Sequence, residues 1–77
     1  MIIKLYTTLG CHLCEQALEM LLAQDPGFPI EEIEISTDAK LMETYGVRIP
    51  VIATDTTEAE LDWPFDVAQL IRFLSAG

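Results

Sequence analysis

Apolar and polar positions alternate along this chain with two different periods, and each change of period marks a new element. Ile2 to Tyr6 is a short apolar run of β-forming residues and predicts a strand. Thr7-Thr8-Leu9-Gly10 reads as a loop. From about Cys11 to Gln24 the period becomes helical: Cys14, Ala17, Leu18, Leu21 and Leu22 form an apolar stripe, with Glu15, Gln16, Glu19 and Ala23 on another face. Asp25-Pro26-Gly27 stops this helix. Ile33 and Ile35 then alternate with Glu32, Glu34 and Ser36, which predicts a strand with one polar face. Charge on that face suits a sheet edge, because it discourages pairing with another chain.

Thr37-Asp38 is positioned to cap a short helix carrying Leu41 and Tyr45, with Gly46 expected as a left-handed C-cap. Val51 to Thr54 predicts a third strand, Asp55-Thr56-Thr57-Glu58 a turn, and Ala59 to Asp62 a weaker fourth strand. The last helix starts near Asp66, with Gln69 placed to complete a capping box. Val67, Leu70, Ile71 and Leu74 form its expected core-facing stripe. The order is β-α-β-α-β-β-α. A helix joins the first two strands, so they should run parallel with a right-handed crossover, while the short turn makes the last two a hairpin. The expected architecture is α/β, a mixed four-stranded sheet with helices on its faces, in one domain spanning residues 1–77.

Composition narrows the class. A chain of 77 residues buries only ~60–65% of the surface it exposes when unfolded, so a single core needs nearly every apolar residue. With 51% hydrophobic residues, the chain can supply that core. Thirteen acids against four bases, Lys4, Lys40, Arg48 and Arg72, give a formal net charge of −9. Four scattered cations make no basic patch, which argues against nucleic-acid binding, and an anionic membrane surface would repel the chain. No apolar run approaches the ~18 residues that span a bilayer, and the first residues lack the pattern of a signal peptide. A cytoplasmic monomer is the expectation.

The two cysteines carry the candidate chemistry. Cys11-His12-Leu13-Cys14 falls between the first strand and the first helix, and a C-x-x-C placed there reads as a redox pair, half of a metal site, or chance. Cys11 sits at the helix start, where unpaired N–H groups and the macrodipole favour an anion. Cys14 falls one turn in, on the apolar stripe. One sulfur is then exposed and favoured as thiolate, and the other is covered close behind it, which is the asymmetry of a nucleophile and a resolving thiol. A helix N-terminus contributes ~0.3–2 kcal/mol, equivalent to at most about 1.5 pKa units, and Glu15 opposes it, so a modest lowering is expected for Cys11. A protonated His12 would add to the thiolate's stability, while the alternative for His12 is an exposed spacer.

The metal reading has fewer supports. Zinc takes four ligands, and no second Cys or His pair exists in the chain. A Cu(I)-trafficking module is the stronger rival, since two soft thiolates suit that ion. Such modules usually run β-α-β-β-α-β with Met two residues before the first Cys; here that residue is Leu9, and the chain ends on a predicted helix. A noncatalytic interaction domain with incidental cysteines is the third alternative.

With these elements in place, the chain resembles the glutaredoxin-like branch of the thioredoxin superfamily. The likeness rests on the strand, loop and C-x-x-C helix start, and on Tyr45-Gly46-Val47-Arg48-Ile49-Pro50-Val51. That segment is similar to the Y-G-I-R-G-I-P-T of thioredoxins and the T-V-P of glutaredoxins, in which the proline is cis and faces the redox pair. The resemblance implies a thioredoxin/glutaredoxin-like fold and dithiol–disulfide exchange with no metal or organic cofactor. It implies that Cys11 attacks a substrate disulfide, Cys14 resolves the mixed disulfide, Pro50 shapes the loop, and the Ile49 backbone pairs with substrate in β fashion. Arg48 is the cation beside Pro50 and the candidate for a substrate contact.

This sequence departs from the family pattern in three places. Cys11-His12-Leu13-Cys14 contains no proline, Thr7-Thr8-Leu9-Gly10 supplies no cation, and Asp62-Trp63-Pro64-Phe65-Asp66 stands where glutaredoxins carry a Gly-Gly-acid segment. These departures predict weak use of glutathione and favour a disulfide-containing protein over a small thiol as partner. Trp63 and Phe65 either line a groove for that partner or close the core beneath the final helix, the second being the commoner use of such aromatics.

Overall fold

A computed structural model describes residues 1–76. Its elements are β1 (Ile3–Thr7), α1 (His12–Gln24), β2 (Ile30–Glu34), α2 (Ala39–Tyr45), β3 (Val51–Thr54), β4 (Glu60–Asp62) and α3 (Val67–Ala76). The strands form a four-stranded sheet in the order β2-β1-β3-β4. β1 and β2 are parallel and joined through α1, whereas β1–β3 and β3–β4 are antiparallel. The edge position expected for the acidic strand holds, and the predicted α/β order is the observed one.

Each face of the sheet has its own core. On one face Ile3, Leu5 and Ile52 pack against Ala17 and Leu21 of α1, Leu70 of α3, and Phe65. On the other, Val51 meets Ile35 and Tyr45, with Tyr6, Leu41 and Ile49 around them. Tyr6 and Tyr45 stack with centroids 4.0 Å apart. Caps fix the helix starts as the sequence implies. The Asp38 carboxylate accepts from the N–H groups of Lys40 (2.8 Å) and Leu41 (3.3 Å). Asp66 and Gln69 form the reciprocal box: Gln69 N–H donates to Asp66 Oδ1 at 2.7 Å, and Asp66 N–H to Gln69 Oε1 at 2.8 Å.

Four expectations need correction. The apolar stripe of α1 is narrower than drawn: Cys14, Ala17 and Leu21 are buried, but Leu22 is 60% exposed. At ~100° per residue, Leu22 points well away from the centre of that face. On α3 the buried residue is Leu70, flanked by Phe73 and Leu74, while Val67 and Ile71 face solvent. β2 begins at Ile30 and ends at Glu34, two residues earlier than the alternation suggests, because the Glu34 carboxylate accepts the Ser36 N–H and turns the chain. Gly46 is right-handed (φ −52°), not left-handed. The chain winds on past it, with the Arg48 and Ile49 N–H groups both reaching the Tyr45 carbonyl. Glycine is needed there for room, since an added Cβ would run into the Met42 carbonyl oxygen. Among the described residues, no helix is long and apolar enough to cross a membrane.

Candidate functional site

The central strand β1 delivers the chain to the site. After Thr7, Gly10 takes a left-handed conformation (φ +78°), open to glycine at little cost, and aims the chain into α1. Cys11 is the N-cap of α1, with extended backbone, and its Sγ accepts the Cys14 N–H at 3.1 Å. A sulfur in this position does what a capping Ser or Asp oxygen does, and it lies at the positive end of the helix dipole. Cys11 and Cys14 are joined as a disulfide, with Cα atoms 5.2 Å apart. Cys14 is only 2% exposed, whereas Cys11 is half-buried. The unequal cover expected from the helical stripe is present. His12 lies at the surface, 88% exposed, with Nδ1 3.5 Å from a Glu15 carboxylate oxygen.

A cleft of about 330 Å³ opens beside the disulfide. The loop from Thr7 to Gly10 lines it, together with Cys11, Cys14 and Leu18 of the adjoining helix start and helix. Three carboxylates complete it: Glu15 from α1, and Glu32 and Glu34 from the edge strand β2.

Glu34 has a further role that the sequence reading missed. One of its oxygens accepts the Leu9 N–H at 2.9 Å and the other the Ser36 N–H at 3.0 Å, so a single side chain ties the redox loop to the end of β2. The Ser36 N–H and then the Thr8 hydroxyl hold its carboxyl down at about 2, against the opposing effect of desolvation. The parallel register, Thr7 opposite Glu34, is the fact that makes this contact, and no local motif announces it. Such a carboxylate stabilises the fold fully above pH 4.5, its ordinary value, and the contribution is lost as pH falls towards 2. Glu34→Gln should therefore melt below the parent at pH 7, with the gap closing between those limits. A gap that stays constant with pH would contradict the assignment.

On the far side of β1, the Ile49–Pro50 peptide is cis, and Pro50 is fully buried. Tyr6 pairs with Val51, so Pro50 lies at the sheet end that also bears the loop to Cys11. The Ile49 N–H is already taken by the Tyr45 carbonyl, at 3.1 Å. Arg48 is held by carboxylates of β4: Nε and an NH2 donate to the two Asp62 oxygens at 2.9 and 2.8 Å, and the same NH2 to Glu60 at 2.7 Å. Its guanidinium also lies 5.1 Å from the centre of the Tyr45 ring. Hydrogen bonds from Arg48 lower the Asp62 carboxyl, and in Glu60 the bonds from Tyr45 and Arg48 outweigh the raising effect of burial. Burial, then the bond to Glu60, pushes the Tyr45 phenol up. Sequence reasoning found Arg48 but not its partners, since these arrive only through the β3–β4 hairpin. Trp63 and Phe65 meet edge to face at 5.0 Å and belong to the core beneath α3, not to the cleft.

A family model described as Glutaredoxin-like domain (DUF836) matches residues 2–75. The chain belongs to this glutaredoxin-like family. A solved structure, the X-ray structure of Northeast Structural Genomics target protein XcR50 from X. campestris, is 41% identical over 97% of both chains, with a TM-score of 0.85. No curated protein matches the chain. The fold of this glutaredoxin-like domain is the thioredoxin-like one that the resemblance implied. Family membership and the Cys11–Cys14 pair give it a thiol-redox function in the general sense.

Proposed function

We propose that this glutaredoxin-like domain is a dithiol–disulfide oxidoreductase acting on protein disulfides. The observation that carries the reading is the disulfide at the start of α1, with one sulfur half-covered and the other buried behind it. In the reduced state the Cys11 thiolate attacks a substrate sulfur. The substrate S–S bond breaks, one substrate thiol leaves with a proton, and a mixed disulfide forms at Cys11. Cys14 then gives up its proton and attacks the Cys11 sulfur, which forms the Cys11–Cys14 bond and releases the second substrate thiol. Two electrons pass from protein to substrate, and an external dithiol restores the reduced pair. Run backwards, the same steps oxidise a substrate dithiol. Gly10 and the Glu34 clamp hold Cys11 where a substrate meets it, and a reducing cytoplasmic setting suits such a cycle.

Two features favour a protein over glutathione as substrate. Glutathione is a net anion whose carboxylates need cations, preferably bidentate ones. The cleft beside Cys11 presents three carboxylates, and Arg48, the cation next to Ile49-Pro50 in sequence, is already bound by Asp62 and Glu60. The test compares turnover of a glutathione mixed disulfide with that of a protein disulfide at low and moderate salt. The protein substrate should react faster, by about tenfold or more at low salt. Equal turnover, at a rate typical of glutathione-dependent enzymes, would overturn the substrate assignment.

A further inference from the structure

We infer that the substrate is a polypeptide with Lys or Arg within a few residues of its reacting cysteine, and that the cleft of Glu15 and Glu32 selects it. The inference rests on the exchange reading above. Acidic residues alone would not make a site, but this cleft also opens on Cys11, where a substrate sulfur has to arrive for exchange to occur. No Lys, Arg or His lines it.

The three carboxylates are differently employed. Glu34 is satisfied by the Leu9 and Ser36 N–H groups, so its negative charge is fixed in place as part of the lining. The Glu32 side chain has no hydrogen-bond or ion-pair partner among the described residues, and the Glu15 carboxylate faces only the surface imidazole of His12 at 3.5 Å. Both are exposed and available to an incoming cation. Glu15 follows Cys11 by about one helical turn, a rise of ~6 Å. An extended substrate advances ~3.3 Å per residue, so a base one to three positions from its cysteine comes opposite these carboxylates. Leu18 in the cleft and Leu9, 91% exposed at its rim, offer apolar surface for the stem of a Lys or Arg whose charged head stays in water. The net charge of −9 adds a long-range field of the same sign.

The experiment uses three synthetic peptides, each closed by one internal disulfide and identical except for Lys, Ser or Glu beside both cysteines. Reduced protein is mixed with each, acid-quenched, and its oxidation followed by mass. Each rate is divided by the rate of the same peptide with dithiothreitol, an uncharged dithiol, which removes the effect of the flanking charges on the peptide disulfide itself. The normalised rates should fall in the order Lys, Ser, Glu, with about ten- to a hundredfold between the extremes at low salt. The spread should shrink to within about threefold near 1 M salt, where the Debye length is ~3 Å. The Glu15→Gln/Glu32→Gln double variant should lose most of the Lys-over-Glu preference. Exchange at equal normalised rates with all three peptides would overturn this inference and leave the exchange reading standing. A preference unchanged in the double variant would also overturn it. No exchange with any peptide would instead overturn the reading beneath it.

Discussion

Cys14→Ser should form a stable mixed disulfide with a small uncharged disulfide reagent, whereas Cys11→Ser should be nearly inert. The expectation follows from unequal access to two sulfurs in one disulfide: Cys14 is 2% exposed and Cys11 half-buried. The Cys11 sulfur also accepts the Cys14 N–H at the helix start, a bond that a thiolate strengthens. Cleft carboxylates push the other way on acidity, and a helix N-terminus offers only ~0.3–2 kcal/mol. Access therefore governs the difference more than pKa does. In the reduced parent protein, alkylation of Cys11 should outpace that of Cys14 by at least about tenfold near neutral pH. Equal rates at the two thiols would remove the division into nucleophile and resolver.

The second large effect is on stability. Leu5 is fully buried on β1, the strand between β2 and β3, and packs in the core that holds Ala17 and Leu21 of α1. Leu5→Ala should cost about 2–5 kcal/mol. A chain this size has a total stability of roughly 4–12 kcal/mol, so much of the population would be unfolded at moderate temperature. Leu22→Ala, from a leucine 60% exposed on α1, should cost well under half as much. Urea denaturation of the oxidised proteins measures both. Equal losses would contradict the narrow face assigned to α1.

The element order was legible because the two hydrophobic periods and the capping residues agree. Asp38, Asp66 and Gln69 act locally, so their roles can be read without knowing the fold. The disulfide partners were equally legible, being three residues apart on one turn. Contacts made through the sheet were not. Glu34 reads as a polar residue of an edge strand, and only its place opposite Thr7 turns it into the clamp of the redox loop. Arg48 drew notice as the cation beside Pro50, but the β3–β4 hairpin brings Glu60 and Asp62 to it. Leu22 and Ile71 match a helical stripe by spacing, yet each lies at the margin of a contact whose width depends on the partner surface. The second cis peptide, Trp63–Pro64, had no signal in the sequence reading.

The central claim is that Cys11 and Cys14 cycle as one two-electron couple, and a redox titration tests it most directly. The protein is equilibrated in buffers of graded reduced and oxidised glutathione, trapped by alkylation, and weighed. The account predicts two dominant masses, the dithiol and the internal disulfide. They should interconvert reversibly with a two-electron slope, ~30 mV per tenfold change in their ratio, at one potential from either direction. A pair that stays wholly reduced or wholly oxidised across the range of cellular poise, or that accumulates only glutathione adducts, would contradict it.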